Sequence, residues 1–430
     1  MATANNGNNG NNGNNGNNGN NGNNGNNANS GNNANSGNNA SPASPAPKKN
    51  ISNQNKNTIK KAISNNNTVS NNAPNTGTNN NNIKTTDKEN IEYGAVMTNN
   101  YLLLLSITVV IVICVVIYFF SESFRVKRAI GNMLSYQNYQ RLSSIDYSKL
   151  GRLRLGDMYI SSSYNSSHSG YQMYDYTSAK IVLSILQSGA RYLEFNVFNS
   201  EFGDNAYPVV SMGYKKGEWK MMVTDTPLET IFKIIADNAF TINDSVNGVY
   251  NPEDPLFIGL NLNTNSNLSC LNLISFLITK YFSSKLLPNQ YSYQNSDLIP
   301  DMTLSQVSGK VIIFTSDGFQ GSGLEEIVNY CWDNINNNTN HSLQRIHYST
   351  LIEPNFDGNK LIKFNKKGLT IVVPHIEGDF SNTNYDTTIA ISMGCQFIAM
   401  EFQYIDPYMD SYITLFKRYS LVEKEDSLRK

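Results

Sequence analysis

One uninterrupted apolar run, YLLLLSITVVIVICVVIYFF, occupies residues 101–120 of the chain. It contains no charged residue, and as a helix it is long enough to cross about 30 Å of hydrocarbon. A buried helix of a soluble protein would normally show a polar face, and a cleaved signal peptide would lie at the N-terminus with a shorter apolar core. The run therefore predicts a transmembrane helix at 97–121, in a single-pass membrane protein.

The charges beside this run predict its orientation. Three basic residues follow it at once: Arg125, Lys127 and Arg128. The comparable N-terminal stretch holds one base against three acids: Lys88, with Asp87, Glu89 and Glu92. Because the more basic flank of a span normally stays on the cytoplasmic side, the C-terminal part of the chain is predicted to be cytoplasmic.

The first 96 residues are low in apolar side chains, and residues 5–27 repeat an Asn-Asn-Gly triplet. Glycine at every third position is the collagen period, but the other positions lack the proline that stiffens a triple helix. Too few apolar groups are present to offset the entropy lost on ordering, so 1–96 is predicted to be a disordered spacer. The overall charge of −1, from 33 basic and 34 acidic residues, gives no reason to expect a nucleic-acid partner.

After a basic juxtamembrane linker, 122–150, apolar strand-like runs alternate with amphipathic helix-like runs in a domain at 151–430. The strands are predicted at Met158–Ser162, Tyr192–Phe198, Pro208–Met212, Leu256–Leu262, Lys310–Thr315, Arg345–Ser349, Leu369–Pro374 and Gln396–Gln403. The helices between them are predicted at Ser178–Gln187, Leu228–Phe240, Leu271–Phe282, Leu324–Trp332, Tyr385–Met393 and Met409–Lys417. This alternation favours an α/β fold, a single (β/α)8 TIM-type barrel, with a doubly wound sheet as the alternative.

In such a barrel the site lies at the C-terminal ends of the strands. The residues that close the predicted strands are mostly neutral hydroxyls and amides, such as Asn165, Asn196 and Asn261. They can bind a polar ligand, but they are poor proton-transfer groups near pH 7.

Several segments resemble a known family. MYISSSYNSS (158–167), GARYLEFNVFNS (189–200) and YPVVSMGY (207–214) look like the opening of the X half of eukaryotic phosphoinositide-specific phospholipase C. PLETIFKIIADNAF, PLFIGLNLN and SGKVIIF continue it, and 381–412 resembles the end of the Y half. The X-like part is placed at about 151–318 and the Y-like part at about 343–418. The resemblance implies a (β/α)8 phosphodiesterase that cleaves a phosphoinositide through attack of the inositol 2-hydroxyl, with two histidines and a calcium ion.

The family's functional residues are only partly retained. Its two histidines are matched by Tyr164 and Met212, and the resemblance leaves Asn165 and Glu194 as calcium ligands. Other family positions hold different residues: Asn196 and Asn261 for carboxylates, Phe314 and Ser316 for a basic pair, and Asp379 for an arginine. The resemblance also leaves Ser349 and Tyr385 as headgroup contacts.

These replacements predict a pseudoenzyme. Tyrosine and methionine cannot exchange a proton at pH 7 as a tuned imidazole does, a contribution of about 10²–10⁴ in rate. Exchanging two of three carboxylates for amides reduces the ligand charge from −3 to −1, so calcium is expected to bind weakly. His168 and His375 are the histidines nearest the predicted mouth, and a relocated acid–base pair would need both of them.

Three hypotheses follow. The favoured one is a membrane-anchored, catalytically degenerate barrel that binds a lipid headgroup or a protein partner. The second is an active phosphoric diester hydrolase that cleaves phosphoinositides with a rearranged site. The third is a structural membrane protein of a viral particle or organelle, in which the barrel is only folded bulk.

Overall fold

The structure is a computed structural model that describes residues 82–170, 175–200, 206–214, 219–220, 224–244, 246–332, 343–374 and 384–430. The helices, numbered in chain order, are α1 Asn82–Gln137, α2 Tyr147–Leu150, α3 Ala179–Gln187, α4 Leu228–Asn238, α5 Leu268–Phe282, α6 Leu304–Val307, α7 Tyr348–Leu351, α8 Gly358–Asn365, α9 Thr388–Ser392 and α10 Pro407–Leu415. The strands are β1 Met158–Ser163, β2 Tyr192–Asn199, β3 Pro208–Val210, β4 Gly213–Tyr214, β5 Trp219–Lys220, β6 Thr226–Pro227, β7 Leu256–Asn263, β8 Val311–Thr315, β9 Tyr330–Cys331, β10 Leu343–His347, β11 Leu369–Val373, β12 Phe397–Met400 and β13 Leu421–Glu423.

Helix α1 contains the apolar run, whose large side chains are exposed. Its part at Thr98–Gln137 is long and apolar enough to cross a membrane. The helix differs from the sequence prediction at both ends, because it begins inside the segment 1–96 and continues through 122–137, where a linker was predicted. The predicted disorder of residues 1–81 concerns a segment outside the described residues.

Eight parallel strands form the barrel predicted from the sequence, in the order β10-β11-β12-β1-β2-β7-β8-β9. Neighbouring strands are in register over several residues, for example Tyr192–Phe198 of β2 beside Phe257–Asn263 of β7. No pairing joins β9 to β10 within the described residues, so the barrel is nearly closed, with a seam between these two strands. Three further strands extend the sheet in antiparallel fashion: β13 on β1, β3 on β2, and β6 on β3.

Two element predictions are wrong. The predicted barrel strand Pro208–Met212 is the short β3, which lies outside the barrel path and runs antiparallel to β2. The eighth barrel strand is instead β9, inside the segment Leu324–Trp332 that was predicted to be a helix. Only Gly323–Glu326 is helical there, as a 3-10 turn. A short apolar run does not distinguish helix from strand by its periodicity, and the pairing of β9 with β8 decides the structure.

The barrel strands alternate between an inner and an outer core. On β2, Leu193, Phe195 and Val197 belong to the outer core, which includes residues of α3 and α4. Tyr192 points inward and joins four other buried rings: Phe257, Phe314, Tyr330 and Phe397, with centroids 5.0–6.0 Å apart. Because side chains alternate along a strand, Glu194 and Asn196 face the interior above this aromatic plug, at the carboxyl end of the barrel.

Candidate functional site

Three asparagines predicted as site residues meet at the barrel mouth. Asn196 on β2 donates from Nδ2 to Oδ1 of Asn165 at 3.0 Å, and it accepts at Oδ1 from Nδ2 of Asn261 on β7 at 2.8 Å. Asn165, which follows β1, has a φ of 47°, a left-handed conformation that asparagine tolerates better than most residues. Its Nδ2 donates to Oε1 of buried Glu401 at 3.3 Å. The mouth is therefore lined by a chain of hydrogen-bonded amides.

The only retained carboxylate of the predicted ligand set, Glu194, is bound by an arginine. Its Oε1 accepts from Nη2 of Arg345 at 2.7 Å, and its Oε2 accepts from the hydroxyl of Tyr192 at 2.7 Å. The Glu194 side chain is 1% exposed and the Arg345 side chain 14%. Arg345 enters from β10, and its guanidinium lies 6.0 Å from the ring centre of Tyr164 and 5.7 Å from that of Trp332.

The pair is an ion pair. Burial is the largest single influence on the Arg345 guanidinium and lowers its pKa, but Glu194, Tyr164 and Tyr192 together outweigh burial and the pKa is raised overall. The guanidinium therefore stays charged. A buried ion pair is stable only when its hydrogen bonds are well formed. Both carboxylate oxygens of Glu194 accept such a bond here.

The two positions matched to the family's histidines hold groups that do not exchange protons near neutral pH. Burial raises the pKa of the Tyr164 hydroxyl well above its ordinary value of 10. Met212 is buried, with its thioether 3.6 Å from Nδ2 of Asn196. Neither side chain can act as a general base or acid at pH 7.

The residues present do not fit a calcium ion. Calcium takes six to eight oxygen ligands and prefers several carboxylates. Here both oxygens of Glu194 are occupied by N–H or O–H donors, one of them a cation, and the carbonyl oxygens of Asn165 and Asn196 already accept from amides. Among the residues that the structure describes, no group of three or more His, Cys, Asp or Glu side chains could hold a metal ion.

The histidines do not supply a substitute pair in the described structure. His168 is buried in the loop after β1, its Nδ1 accepts from the amide of Gly170 at 3.4 Å, and burial lowers its pKa to about 4. His347 ends β10 beside the carbonyl of Pro374. His375 and His341, like Asp379, lie outside the described residues.

Four further predicted site positions lie in or near the barrel wall. Phe314 belongs to the aromatic plug, and the hydroxyl of Ser316 accepts from the amide of Leu262 at 2.7 Å. The hydroxyl of Tyr385 lies within hydrogen-bond distance of two carbonyls: that of Val372 on β11 at 3.0 Å and that of Ala399 on β12 at 3.2 Å. Ser349 is half-buried in α7. Headgroup contacts by Ser349 and Tyr385 stay predictions.

Two charged residues of the site, Arg345 and Glu401, are not among the predicted site residues. Arg345 begins a predicted strand, and Glu401 lies inside the predicted strand Gln396–Gln403. The signal that could have found them is a charged residue within a predicted barrel strand. Such a residue must either face solvent or find a partner inside.

Comparison with known proteins agrees with the barrel fold. A family model described as phosphatidylinositol-specific phospholipase C, X domain, matches residues 153–317. Two crystal structures of PLC21, from S. officinalis and L. pealei, have TM-scores of 0.51 and 0.52 at 19% identity, and cover 65% and 67% of the chain. The matches span only 38% and 39% of those longer proteins. No curated protein sequence matches the chain. Residues 153–317 therefore match the X-domain model of phosphatidylinositol-specific phospholipase C, and the barrel shares the fold of the two PLC21 structures.

Proposed function

We propose that the chain is a single-pass, membrane-anchored phospholipase C-like pseudoenzyme, whose barrel binds a phosphoinositide headgroup without cleaving it. The observation that carries the proposal is the buried pair of Glu194 and Arg345. A guanidinium lies where the family resemblance implies a calcium ion, bound to the one carboxylate that is retained there.

Cleavage needs groups that this mouth does not offer. General acid–base help is worth about 10²–10⁴ in rate, and stabilisation of developing charge is usually the largest single contribution to catalysis. Tyr164 and Met212 supply no proton transfer near pH 7. Arg345 is a cation, but its charge is already compensated by Glu194 at 2.7 Å. The barrel therefore has the architecture of a phospholipase C site but lacks the groups that would transfer protons and stabilise developing charge.

The barrel mouth does offer groups that can bind a polar headgroup. The amide groups of Asn165, Asn196 and Asn261 are both donors and acceptors, as are the hydroxyls of an inositol ring. The inositol ring of the headgroup is itself polar and uncharged, so it can exchange hydrogen bonds with this chain of amides at little electrostatic cost. The apolar span in α1 would hold the barrel permanently at a membrane, and the basic residues after the span favour a cytoplasmic barrel.

An activity assay tests the first half of the proposal. The full chain, reconstituted in vesicles that contain phosphatidylinositol 4,5-bisphosphate, is incubated with calcium or with a chelator, and released inositol phosphate is measured. We expect no release in either condition, with an active phospholipase C as the positive control. Calcium-dependent release that Glu194→Gln abolishes would instead establish the active phosphodiesterase.

A binding assay tests the second half. In detergent micelles, titration with soluble glycerophosphoinositol is expected to give saturable heat for the wild-type chain and at least a tenfold weaker affinity for Asn196→Ala. The matched control is Asn289→Ala, an exposed asparagine in the connection between α5 and β8. Absence of binding by the wild-type chain, together with absence of cleavage, would favour a purely structural membrane protein.

A further inference from the structure

The connection between β1 and α3 forms part of the barrel mouth. We call its described residues, 165–170 and 175–178, the mouth loop. The two parts run antiparallel and are bonded to each other, for example by the amide of Ser169, which donates to the carbonyl of Tyr176 at 2.9 Å. The loop begins with Asn165, one of the three asparagines of the mouth, so a shift of the loop would move a site residue.

The first residues of the mouth loop are bound to the barrel wall at β2. The amide of Ser166 donates to the carbonyl of Glu194 at 2.9 Å, and the amide of Glu194 donates to the hydroxyl of Ser166 at 3.0 Å. The carbonyl of Asn165 accepts from the amide of His168 at 3.0 Å. The backbone at Asn165, with its left-handed φ of 47°, is thus held by bonds within the loop and to β2.

The other part of the mouth loop is bound to helix α1. Asp175, whose side chain is 0% exposed, accepts from Nη1 of Arg125 at 2.6 Å and has Nη2 of Arg128 at 3.6 Å. The hydroxyl of Tyr176 donates to the carbonyl of Tyr118 at 2.8 Å. Burial of a carboxylate is costly unless a cation compensates its charge. Helix α1 supplies that compensation to the loop.

Close packing joins the two parts of the loop beside this ion pair. A Cβ at Gly170 would collide with the carboxylate of Asp175 and would lie 3.3 Å from Nη2 of Arg128. The amide of Gly170 donates to Nδ1 of His168 at 3.4 Å, and His168 is bonded to Asn165 through its own amide. Because such packing leaves little free space, a displacement of Asp175 moves Gly170 and the backbone that leads to Asn165.

We propose that α1 is part of the headgroup-binding site, because its ion pair with Asp175 fixes the mouth loop and thereby positions Asn165. Asp175 and Arg125 are positioning residues, since they act through the loop and not through contact with the headgroup. By linkage, a change that loosens this junction weakens headgroup binding, and a bound headgroup strengthens the junction. The inference rests on the headgroup binding in the proposed function, but the positioning of Asn165 can be measured without a ligand.

Amide hydrogen exchange of the full chain in detergent micelles, followed by mass spectrometry, measures this positioning. Arg125→Gln removes the closer cation, and Asp175→Asn removes the carboxylate and leaves no buried charge without a partner. Lys127→Gln is the matched control, because Lys127 is an exposed cation two residues beyond Arg125 on the same helix. We expect exchange in residues 165–170 to be at least tenfold faster in the first two variants than in the control, with β7 unchanged in all three.

Titration with soluble glycerophosphoinositol tests whether the positioning sets the affinity of the mouth. We expect Arg125→Gln and Asp175→Asn to bind at least fivefold more weakly than Lys127→Gln, which should match the wild-type chain. The double variant Arg125→Gln/Asp175→Asn should bind no more weakly than the single variants, because both changes break one contact. Arg125→Lys should restore most of the affinity, since the bond to Asp175 uses one nitrogen of the guanidinium.

Three results would overturn the proposal. Exchange in residues 165–170 could be equally fast in Asp175→Asn and Lys127→Gln, or the loop could loosen without a change in affinity. Exchange could also rise equally in β7, in which case the ion pair stabilises the whole barrel and does not position the loop. Absence of binding by the wild-type chain would instead refute the proposed headgroup function, and the exchange comparison would still decide whether α1 positions Asn165. The two proposals therefore fail in distinguishable ways.

Discussion

Removal of the Arg345 guanidinium should destabilise the barrel strongly. In Arg345→Met the carboxylate of Glu194, with its side chain 1% exposed, keeps the hydroxyl of Tyr192 as its one side-chain partner among the described residues. Loss of one member of a buried ion pair typically costs about 3–5 kcal/mol, because the other charge stays buried without compensation. For a large domain, about 2–4 °C in Tm accompanies each kcal/mol. We therefore expect Tm to fall by roughly 6–20 °C.

The measurement is thermal unfolding of the full chain in mild detergent, followed by near-ultraviolet circular dichroism, which reports the packed aromatic core. The double variant Arg345→Met/Glu194→Gln removes the stranded charge and should recover a large part of the loss.

Arg152→Met provides the matched control, since it makes the same change at an exposed position near the start of the barrel. A surface change of this kind is expected to stay within about 0.5 kcal/mol. Charge compensation of Glu194 by Arg345 is refuted if Arg345→Met unfolds at the same temperature as Arg152→Met, or if the double variant is no more stable than Arg345→Met alone.

Three further predictions concern calcium and pH. Millimolar calcium should leave Tm unchanged relative to a chelator. Calcium that bound the native state would raise Tm, so a calcium-dependent rise would contradict the conclusion that these residues do not fit calcium. Burial lowers the pKa of His168 to about 4. Between pH 4 and 6.5 the unfolded chain therefore binds more protons than the native chain, and stability falls as the pH drops through this range. His168→Gln should flatten that fall when Tm is measured at a series of pH values. Burial also lowers the pKa of Lys424 to about 7, so stability should rise from pH 7 to about 10, and Lys424→Met should remove the rise.

Much of the architecture followed from local patterns. The apolar run and the strand–helix alternation predicted the span and the barrel. The sequence also predicts that Asn165, Asn196 and Asn261 lie together. Each lies near the end of a predicted parallel strand, and the carboxyl ends of parallel strands lie at one face of the barrel. The pairing of Arg345 with Glu194 could not be predicted in this way. These residues are 151 positions apart, and their contact depends on how β10 is placed across the interior from β2.

The part of α1 at 122–137 packs against the barrel, where Nδ2 of Asn132 donates to the carbonyl of Gln403 at 2.8 Å. The basic charges of this segment predict a linker instead. The buried positions Val126, Ala129, Met133 and Tyr136 nevertheless recur at intervals of three or four, the spacing of one helix face. A search for this stripe beyond the end of the apolar run would have predicted that the helix continues and has a partner. Only the structure identifies that partner as the barrel wall.

The ion pair with Arg345 also gives a physical reason for a carboxylate at position 194, in a mouth that does not fit calcium. Backbone pairing between β9 and β10 is absent within the described residues, so the barrel has a seam there. Arg345 extends from β10 on one side of the seam, lies against Trp332, which directly follows β9 on the other side, and reaches Glu194 on β2 across the interior. One side chain thus connects both edges of the seam to the opposite wall.

Glu194 acts here as a structural anchor, so Arg345→Met should increase amide hydrogen exchange in β9 and β10 more than in β7, which is paired on both sides. Uniform exchange across these strands would show that the pair contributes charge compensation only.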